Sequence, residues 1–92
     1  MKKIIQRTKG FEKVFSKLQK KWQIKFIKQL EFFLEDECHP LLKTHELKGT
    51  RKGEWSFSVA NDIRAIYRKE IIKERTVIIF TFIDIGSHSK VY

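Results

Sequence analysis

The stretch WSFSVANDIRAIYRKEIIKERTVIIFTFIDI, residues 55–85, decides the fold. Its first six residues alternate large apolar side chains with small ones, which is the period of a strand with one buried face. Residues 60–62 are a predicted turn, after which alternate residues of a second strand share one face: Ile63, Ala65 and Tyr67. Residues 69–75 form a charged connection, and residues 77–85 are apolar on both faces, as expected inside a sheet. The pattern therefore predicts three consecutive strands that pair as a meander.

Upstream of the meander, apolar residues recur at helical spacing instead of at every second position. One stripe covers residues 11–22 and another covers residues 26–34, and the second is rotated by about 90° around the helix axis. This offset predicts two helices that meet near Lys20, with a single bent helix as the alternative. Thr8 is a candidate N-cap for the first helix, and residues 3–7 are a short strand candidate.

The predicted element order is β-α-α-β-β-β, which with two segregated helices is typical of an α+β domain with a largely antiparallel sheet. A length of 92 residues without a linker or a repeat predicts one domain over residues 1–92. One cysteine excludes an intramolecular disulfide framework, and no apolar stretch is long enough to span a membrane. Lysines occupy the place where a signal peptide has its apolar segment, so a cytoplasmic protein is expected.

The positive charge of the chain is concentrated in its N-terminal third. Residues 1–28 hold ten basic residues and one acidic residue, a net charge of +9, whereas residues 29–92 hold ten of each sign. Such a surface favours an anionic partner, either the phosphates of a nucleic acid or an acidic protein. Lys17, Lys21 and Lys28 are candidate phosphate contacts, with a solvated, lysine-rich helix face as the alternative.

No sequence motif supports a metal site or a protein nucleophile. Cys38 and His39 are adjacent and lack a second pair of ligands at zinc-binding spacing. The patterns G-x-S-x-G, P-loop, H-E-x-x-H and G-x-G-x-x-G do not occur in the sequence. Arg64 is more informative, because it lies between apolar residues in the middle of a strand. It either pairs with a carboxylate, such as Asp62 or Asp84, or binds a phosphate through its planar guanidinium.

Five short segments occur in order along the second half of the chain. They are His45-Glu46-Leu47-Lys48-Gly49, Trp55-Ser56, Asp62-Ile63-Arg64-Ala65-Ile66-Tyr67, Ile85-Gly86-Ser87-His88 and Val91-Tyr92. In this order and at this length, the chain resembles the RelE/ParE superfamily of bacterial toxin–antitoxin toxins, and within it the YafQ-like (RelE/StbE) branch of mRNA interferases. The resemblance is close over residues 39–92, and upstream it consists of the element order and basic helices. It implies a RelE-like fold.

The resemblance also implies an endoribonuclease that needs no metal or cofactor, cleaves messenger RNA in the ribosomal A site, and is neutralised by a cognate antitoxin. By position, it assigns acid and base roles to His45 and His88 and a contact with the scissile phosphate to Arg64. Tyr92 matches the C-terminal aromatic residue that orients the substrate or activates the 2′-hydroxyl. Relatives often carry a basic residue where this chain has Asp84, so a cation beside the phosphate is missing.

This chemistry suits the residue types present, because RNA supplies its own nucleophile in the 2′-hydroxyl and yields a 2′,3′-cyclic phosphate and a 5′-hydroxyl. Histidine titrates near pH 6.5, so at neutral pH it can accept or donate a proton. Arg64, with Lys48, Arg51 or Lys52 nearby, would supply positive charge at the phosphate and bind RNA. The four catalytic candidates are expected to line one concave, positively charged surface.

Two alternatives belong to other functional classes. A ParE-like toxin shares the fold, binds DNA gyrase and catalyses no reaction, but such toxins generally lack the two-histidine arrangement of His45 and His88. An RNA- or antitoxin-binding module without activity is the second alternative, and the acidic residue at Asp84 favours it.

Overall fold

The structure, a computed structural model, describes residues 2–87 and Val91. Its helices and strands follow in this order: β1 (Lys2–Arg7), α1 (Lys9–Lys17), α2 (Lys20–Glu35), β2 (His45–Glu46), β3 (Trp55–Ala60), β4 (Ile63–Ile72) and β5 (Val77–Ser87). Short 3₁₀ helices lie at Pro40–Leu42, Gly49–Arg51 and Lys73–Arg75. The sheet order is β1-β5-β4-β3-β2, with β1 parallel to β5 and the other three pairings antiparallel. The predicted α+β class is confirmed.

The two helices are separate, as the offset of the two apolar stripes predicts. Thr8 caps α1, because its Oγ1 accepts a hydrogen bond from the Phe11 amide at 3.0 Å. Leu18 then leaves the helix with extended backbone. The Gln23 side chain of α2 donates to the carbonyl oxygens of Phe15 and Leu18, at 2.9 and 3.2 Å. A side chain of the second helix thus satisfies carbonyls at the end of the first, and the break requires neither glycine nor proline.

An aromatic core joins the helices to the sheet. Phe33 of α2 is fully buried. Its ring centroid lies 4.7 to 5.1 Å from those of three aromatic residues, one on each of the three central strands: Phe57, Tyr67 and Phe80. The first helix packs on the same face of the sheet. Most of both predicted stripes is therefore buried against the strands, whereas Leu34 at the end of the second stripe is 40% exposed.

β4 is longer, and the turn after it shorter, than the sequence predicts. The charge of residues 69–75 predicts a connection, but the strand continues through this segment until Ile72 pairs with Val77. The reversal is confined to residues 73–76, where Thr76 has left-handed backbone with φ of 51°. The prediction was wrong because the hydrogen bonds to β5 are made by the backbone and tolerate polar side chains.

β2 is a strand where the sequence predicts only a loop. His45 pairs with Ser56 and Glu46 pairs with Trp55, so this two-residue strand borders β3 at the edge of the sheet. Two residues are too few to show any period, which is why the pattern gives no sign of the strand. His45 is therefore positioned by the sheet and not by a loop.

The carboxylate of Glu37, just beyond α2, connects the end of that helix to β4. It accepts a hydrogen bond of 2.7 Å from the hydroxyl of the buried Tyr67 and contacts Lys69 Nζ at 2.9 Å. The same ammonium lies 3.9 Å from the centroid of the Trp55 ring, a cation–π contact. Burial, and then the neighbouring carboxylate, raise the pKa of Tyr67 far above its usual value of about 10.

The raised pKa of Tyr67 predicts a loss of stability at alkaline pH. The folded chain keeps the phenol protonated while the unfolded chain releases the proton near pH 10, so the free energy of unfolding falls as pH rises above that value. The part due to this group approaches about 1.4 kcal/mol per pH unit. Urea denaturation of the wild type and Tyr67→Phe, from about pH 8 to 11, measures it. Tyr67→Phe should lose this part of the pH dependence, and identical slopes would contradict the assignment.

Candidate functional site

The sheet face that points away from the helices carries the candidate site, and we call it the helix-free face. The strand register places four residues in a row across β2 to β5: His45, Ser56, Ile66 and Asp84. The next row holds Ser58, Arg64 and Gly86. Because Ala65 and Tyr67 are buried against the helices, the predicted division of β4 into a core face and an Arg64 face is confirmed.

A small apolar cluster forms the floor of the helix-free face. Ile66 is fully buried there in contact with Leu47 and Val91, and Ile83 packs against this group. Leu47 follows β2 in the chain and Val91 follows β5, so two remote segments are held against the middle of β4. The polar residues of the face therefore surround an apolar centre.

Arg64 leans across β3 toward β2, and hydrogen bonds hold one edge of its guanidinium. Its Nε donates to the hydroxyl oxygen of Ser56 at 3.2 Å, and its Nη2 donates to the backbone carbonyl of Lys43 at 3.0 Å. Within the described residues, neither Asp62 nor Asp84 forms an ion pair with Arg64. The carboxylate alternative for Arg64 is therefore wrong, because a hydroxyl oxygen and a carbonyl oxygen accept its hydrogen bonds instead.

His45 lies beside Arg64 at the edge of the sheet, with an exposed side chain. Its Nδ1 lies 3.3 Å from the Lys43 carbonyl oxygen and 3.4 Å from Arg64 Nη2. The carbonyl requires a proton on Nδ1, whereas the guanidinium donates to a bare Nδ1, so the two neighbours select different tautomers. When Nδ1 carries the proton, Nε2 is the basic atom; when Nδ1 is bare, Nε2 carries the proton. These surroundings admit either neutral tautomer of the His45 ring.

Asp84 pairs with Arg51, one of the cations expected at the phosphate. Its Oδ2 lies 3.2 Å from Arg51 Nη2, and Glu54 Oε1 lies 2.7 Å from Arg51 Nη1. The other oxygen of Asp84 accepts a hydrogen bond from the Ile85 amide at 2.9 Å. One guanidinium is thus shared by two carboxylates, and the three side chains together carry a net charge of −1. The sequence gives no sign of this pairing, since Arg51 and Asp84 are 33 residues apart.

Two of the candidate lysines lie close to His45 in the chain. Lys48 and Lys52 are exposed and line a shallow cavity of about 400 Å³ together with Gly49. The cavity adjoins Glu46, the residue after His45 in β2. Positive charge is therefore available at the β2 edge of the helix-free face.

The candidate lysines of the N-terminal third lie elsewhere. Lys17 lines a groove of about 250 Å³ between α1 and the adjoining ends of β4 and β5, where Gly86 also lies. Lys21 and Lys28 are exposed on α2, which packs on the core side of the sheet. These two lysines are thus on the other side of the sheet from Arg64.

Of the four catalytic candidates, the structure describes His45 and Arg64 and brings them into contact. His88 and Tyr92 lie outside the described residues, so their roles stay predictions. Two groups of the site are not among the predicted site residues, the Ser56 hydroxyl and the Lys43 carbonyl. Strand alternation places Ser56 on the Arg64 face and is the signal that finds it. A backbone carbonyl leaves no signal in the sequence.

Among residues 2–87 and Val91, no group of three or more His, Cys, Asp or Glu side chains is placed to hold a metal ion. The adjacent Cys38 and His39 make separate local contacts. The Cys38 amide donates to Asp36 at 2.9 Å, and His39 Nδ1 accepts from the Leu41 amide at 3.2 Å. No helix in this described part of the chain combines the length and apolar character needed to cross a membrane.

No family model and no curated protein matches the chain, but solved structures match nearly its whole length. A YoeB/ParE toxin from Agrobacterium tumefaciens has 19% sequence identity and a TM-score of 0.72, with 96% of this chain and 99% of that one covered. YafQ from E. coli strain BL21(DE3) has 21% identity and a TM-score of 0.70, with 99% of each covered. The E. coli DinJ–YafQ toxin–antitoxin complex matches at 22% identity and a TM-score of 0.70, with 100% and 99% covered. The chain has the RelE/YafQ toxin fold, as the resemblance implies.

Removing the charge of Asp84 tests the electrostatics of the helix-free face. Because Asp84 and Arg51 are 29% and 31% exposed, Asp84→Asn should change the free energy of unfolding by less than about 1 kcal/mol. One added positive unit about 8 Å from a phosphate should tighten binding of a single-stranded RNA oligonucleotide about twofold at low salt. Fluorescence anisotropy measures the affinity. Glu70→Gln makes the same charge change at the far end of β4 and should leave the RNA affinity unchanged. Equal effects of the two substitutions would show that the position of Asp84 does not matter.

Proposed function

We propose that this chain is the toxin of a type II toxin–antitoxin system and acts as a ribosome-dependent endoribonuclease. The observation that carries the proposal is the contact between His45 and Arg64 on the helix-free face, with Nδ1 and Nη2 3.4 Å apart. An imidazole beside a guanidinium on an accessible surface combines proton transfer with positive charge. The solved structures that share the fold are toxins, some bound to antitoxins, which supports the same class for this chain.

The proposed reaction is a transesterification within messenger RNA. The 2′-oxygen attacks the adjacent phosphorus, the bond from phosphorus to the 5′-oxygen breaks, and a 2′,3′-cyclic phosphate and a 5′-hydroxyl result. One group removes the proton of the 2′-hydroxyl and another donates a proton to the 5′-oxygen, each contributing a rate factor of about 10² to 10⁴. His45 takes one of these roles through Nε2, and His88 takes the other. Tyr92 orients the substrate or activates the 2′-hydroxyl.

Arg64 stabilises the negative charge that develops on the phosphate oxygens. The protein holds its Nε–Nη2 edge, and among the described residues none accepts a hydrogen bond from Nη1. The two protons of Nη1 are left to donate to phosphate oxygens, while Nη2 contacts the Lys43 carbonyl and His45 Nδ1. A well-placed donor of this kind contributes about 3 to 4 kcal/mol to transition-state stabilisation.

The proposed partners are the ribosome with its messenger RNA and a cognate antitoxin, in the cytoplasm. Lys48 and Lys52 bind phosphates next to the cleavage site, since they follow His45 at the β2 edge. The helix lysines hold ribosomal RNA away from that site: Lys17, Lys21 and Lys28. Arg51 contributes less to RNA binding than its charge suggests, because two carboxylates share it.

The pairing of Asp84 with Arg51 favours a second candidate, a module that binds RNA or an antitoxin without cleaving RNA. It means that Arg51, among the described residues, adds no net positive charge at the β5 side of the helix-free face. A phosphate in transfer would then gain no net positive charge from Arg51 and would depend on Arg64 and the two lysines. Cleavage itself therefore has to be measured.

Substitution of His45 or Arg64 should slow cleavage strongly and leave the fold intact. His45→Ala and Arg64→Ala each remove a proposed reacting group and no buried apolar volume, so the cleavage rate should fall at least about 100-fold. Arg68→Ala is the matched control, because Arg68 is an exposed arginine on the same strand and face. Primer extension on ribosome-bound messenger RNA measures the rate, and thermal unfolding checks the fold.

The same assay separates the candidate functions. A deoxynucleotide at the cut site removes the attacking hydroxyl, so cleavage there should disappear, and its persistence would contradict the mechanism. Inhibition of DNA gyrase without RNA cleavage would favour a ParE-like toxin. Binding of an antitoxin with neither activity would favour the inactive module.

Reversing the charge of the helix lysines should weaken association with the ribosome. Lys17→Glu, Lys21→Glu and Lys28→Glu alter exposed positions, so the thermal stability should be retained. For every phosphate that a substituted lysine no longer neutralises, the slope of log affinity against log salt concentration should become shallower by about 0.7 to 0.9. Co-sedimentation with ribosomes at several salt concentrations measures this slope. Unchanged ribosome affinity together with weaker antitoxin binding would assign these lysines to the partner protein.

A further inference from the structure

Ser56 on β3 contacts Arg64, the proposed phosphate-binding residue on the neighbouring strand β4. Its side chain is fully buried, and its Oγ accepts a hydrogen bond from Arg64 Nε at 3.2 Å. We infer that Ser56 is a positioning residue that sets the orientation of the Arg64 guanidinium toward the phosphate. This inference rests on the proposed function and adds to it a residue that acts on the reaction only through Arg64.

The geometry of the guanidinium explains why this one hydrogen bond matters. Nε–H and one proton of Nη2 point along the same edge of the planar group, and Ser56 Oγ and the Lys43 carbonyl receive them. A planar group bound at two points of one edge has a fixed plane and a fixed outward end. That end carries Nη1, from which no described residue accepts a hydrogen bond.

Ser56 is the side-chain half of this two-point attachment, since the other half is a backbone carbonyl that substitution does not remove. The contact is also diagonal across the sheet. Arg64 lies directly opposite Ser58 in the strand register, whereas Ser56 lies opposite Ile66. The arginine therefore passes over its nearest serine and bonds to the next one, in the direction of His45. Ser58 on the same strand and face provides a natural control.

Loss of the Ser56 hydroxyl should impair turnover and leave substrate binding nearly unchanged. In Ser56→Ala the guanidinium keeps its charge, its hydrogen bond to the Lys43 carbonyl and its Nη2 contact with His45, but Nε loses its acceptor, so the outward end is held less firmly. We expect kcat to fall about tenfold or more, as for the loss of a hydrogen bond to a charged group, and KM to change less than about twofold. Ser58→Ala should leave both constants unchanged. Ser56→Thr, which retains a hydroxyl on a strand position, should restore most of kcat.

A double-variant cycle separates positioning from a general structural effect. If Ser56 acts through Arg64, then Ser56→Ala should lower kcat in the wild type and have no further effect in Arg64→Ala. Equal additional losses in both backgrounds, or equal effects of Ser56→Ala and Ser58→Ala, would overturn the inference. Thermal unfolding of each variant shows whether the fold is retained.

The positioning can also be measured without any RNA. In a ¹⁵N spectrum, the Nε–H signal of Arg64 should exchange slowly with solvent in the wild type, while that of the exposed Arg68 exchanges fast. Ser56→Ala should bring Arg64 to the Arg68 rate, and Ser58→Ala should not. An Arg64 signal that already exchanges as fast as that of Arg68 in the wild type overturns the inference. If the Arg64 signal exchanges slowly but the chain does not cleave RNA, the contact with Ser56 is supported. The proposed endoribonuclease function is then contradicted.

Discussion

Burial of Ala65 and Tyr67 beneath the helices holds β4 in a single register. A slip by one residue would carry Arg64 into the aromatic core and expose Tyr67, because neighbouring residues of a strand point to opposite faces. The Tyr67 hydroxyl adds a directional constraint, since its carboxylate partner is fixed at the end of α2. Apolar packing on one side of the sheet thus determines which polar groups meet on the other. Arg64, Ser56 and His45 can converge only if that packing is correct.

The helix-free face is electrically uneven. Its β2 side holds Arg64, Lys48 and Lys52, whereas on its β5 side Arg51 is bound by two carboxylates. A phosphate that approaches this face is attracted more strongly toward Arg64 and the two lysines than toward the paired Arg51. In the proposed function, this asymmetry would place an RNA backbone nearer to His45 and Arg64 than to Asp84.

Much of the fold follows from the sequence because its signals are periodic. Alternation over β3 and β4 predicts both faces of the sheet, and two offset stripes predict two helices. The extension of β4 to Ile72 and the two-residue strand at His45 escape this reasoning, because backbone pairing produces them where the side chains show no period. The site is harder to predict. Resemblance identifies His45 and Arg64, but the contact of Arg64 with the Lys43 carbonyl depends on tertiary geometry. The roles of His88 and Tyr92 still rest on resemblance.

The parallel pairing of β1 with β5 joins residues that are 75 positions apart in the chain. Closing a loop of this length costs chain entropy, so pairing of this kind slows folding relative to the local contacts of a helix. During synthesis, β1 has no pairing partner until β5 has been made. Its two isoleucines are flanked by basic residues: Lys2, Lys3 and Arg7. Charged side chains on an unpaired strand disfavour its pairing with strands of other chains. Gly86, which pairs with Arg64, also belongs to β5 and is synthesised after β4. The surface that bears Arg64 can therefore be completed only after β5 has been synthesised.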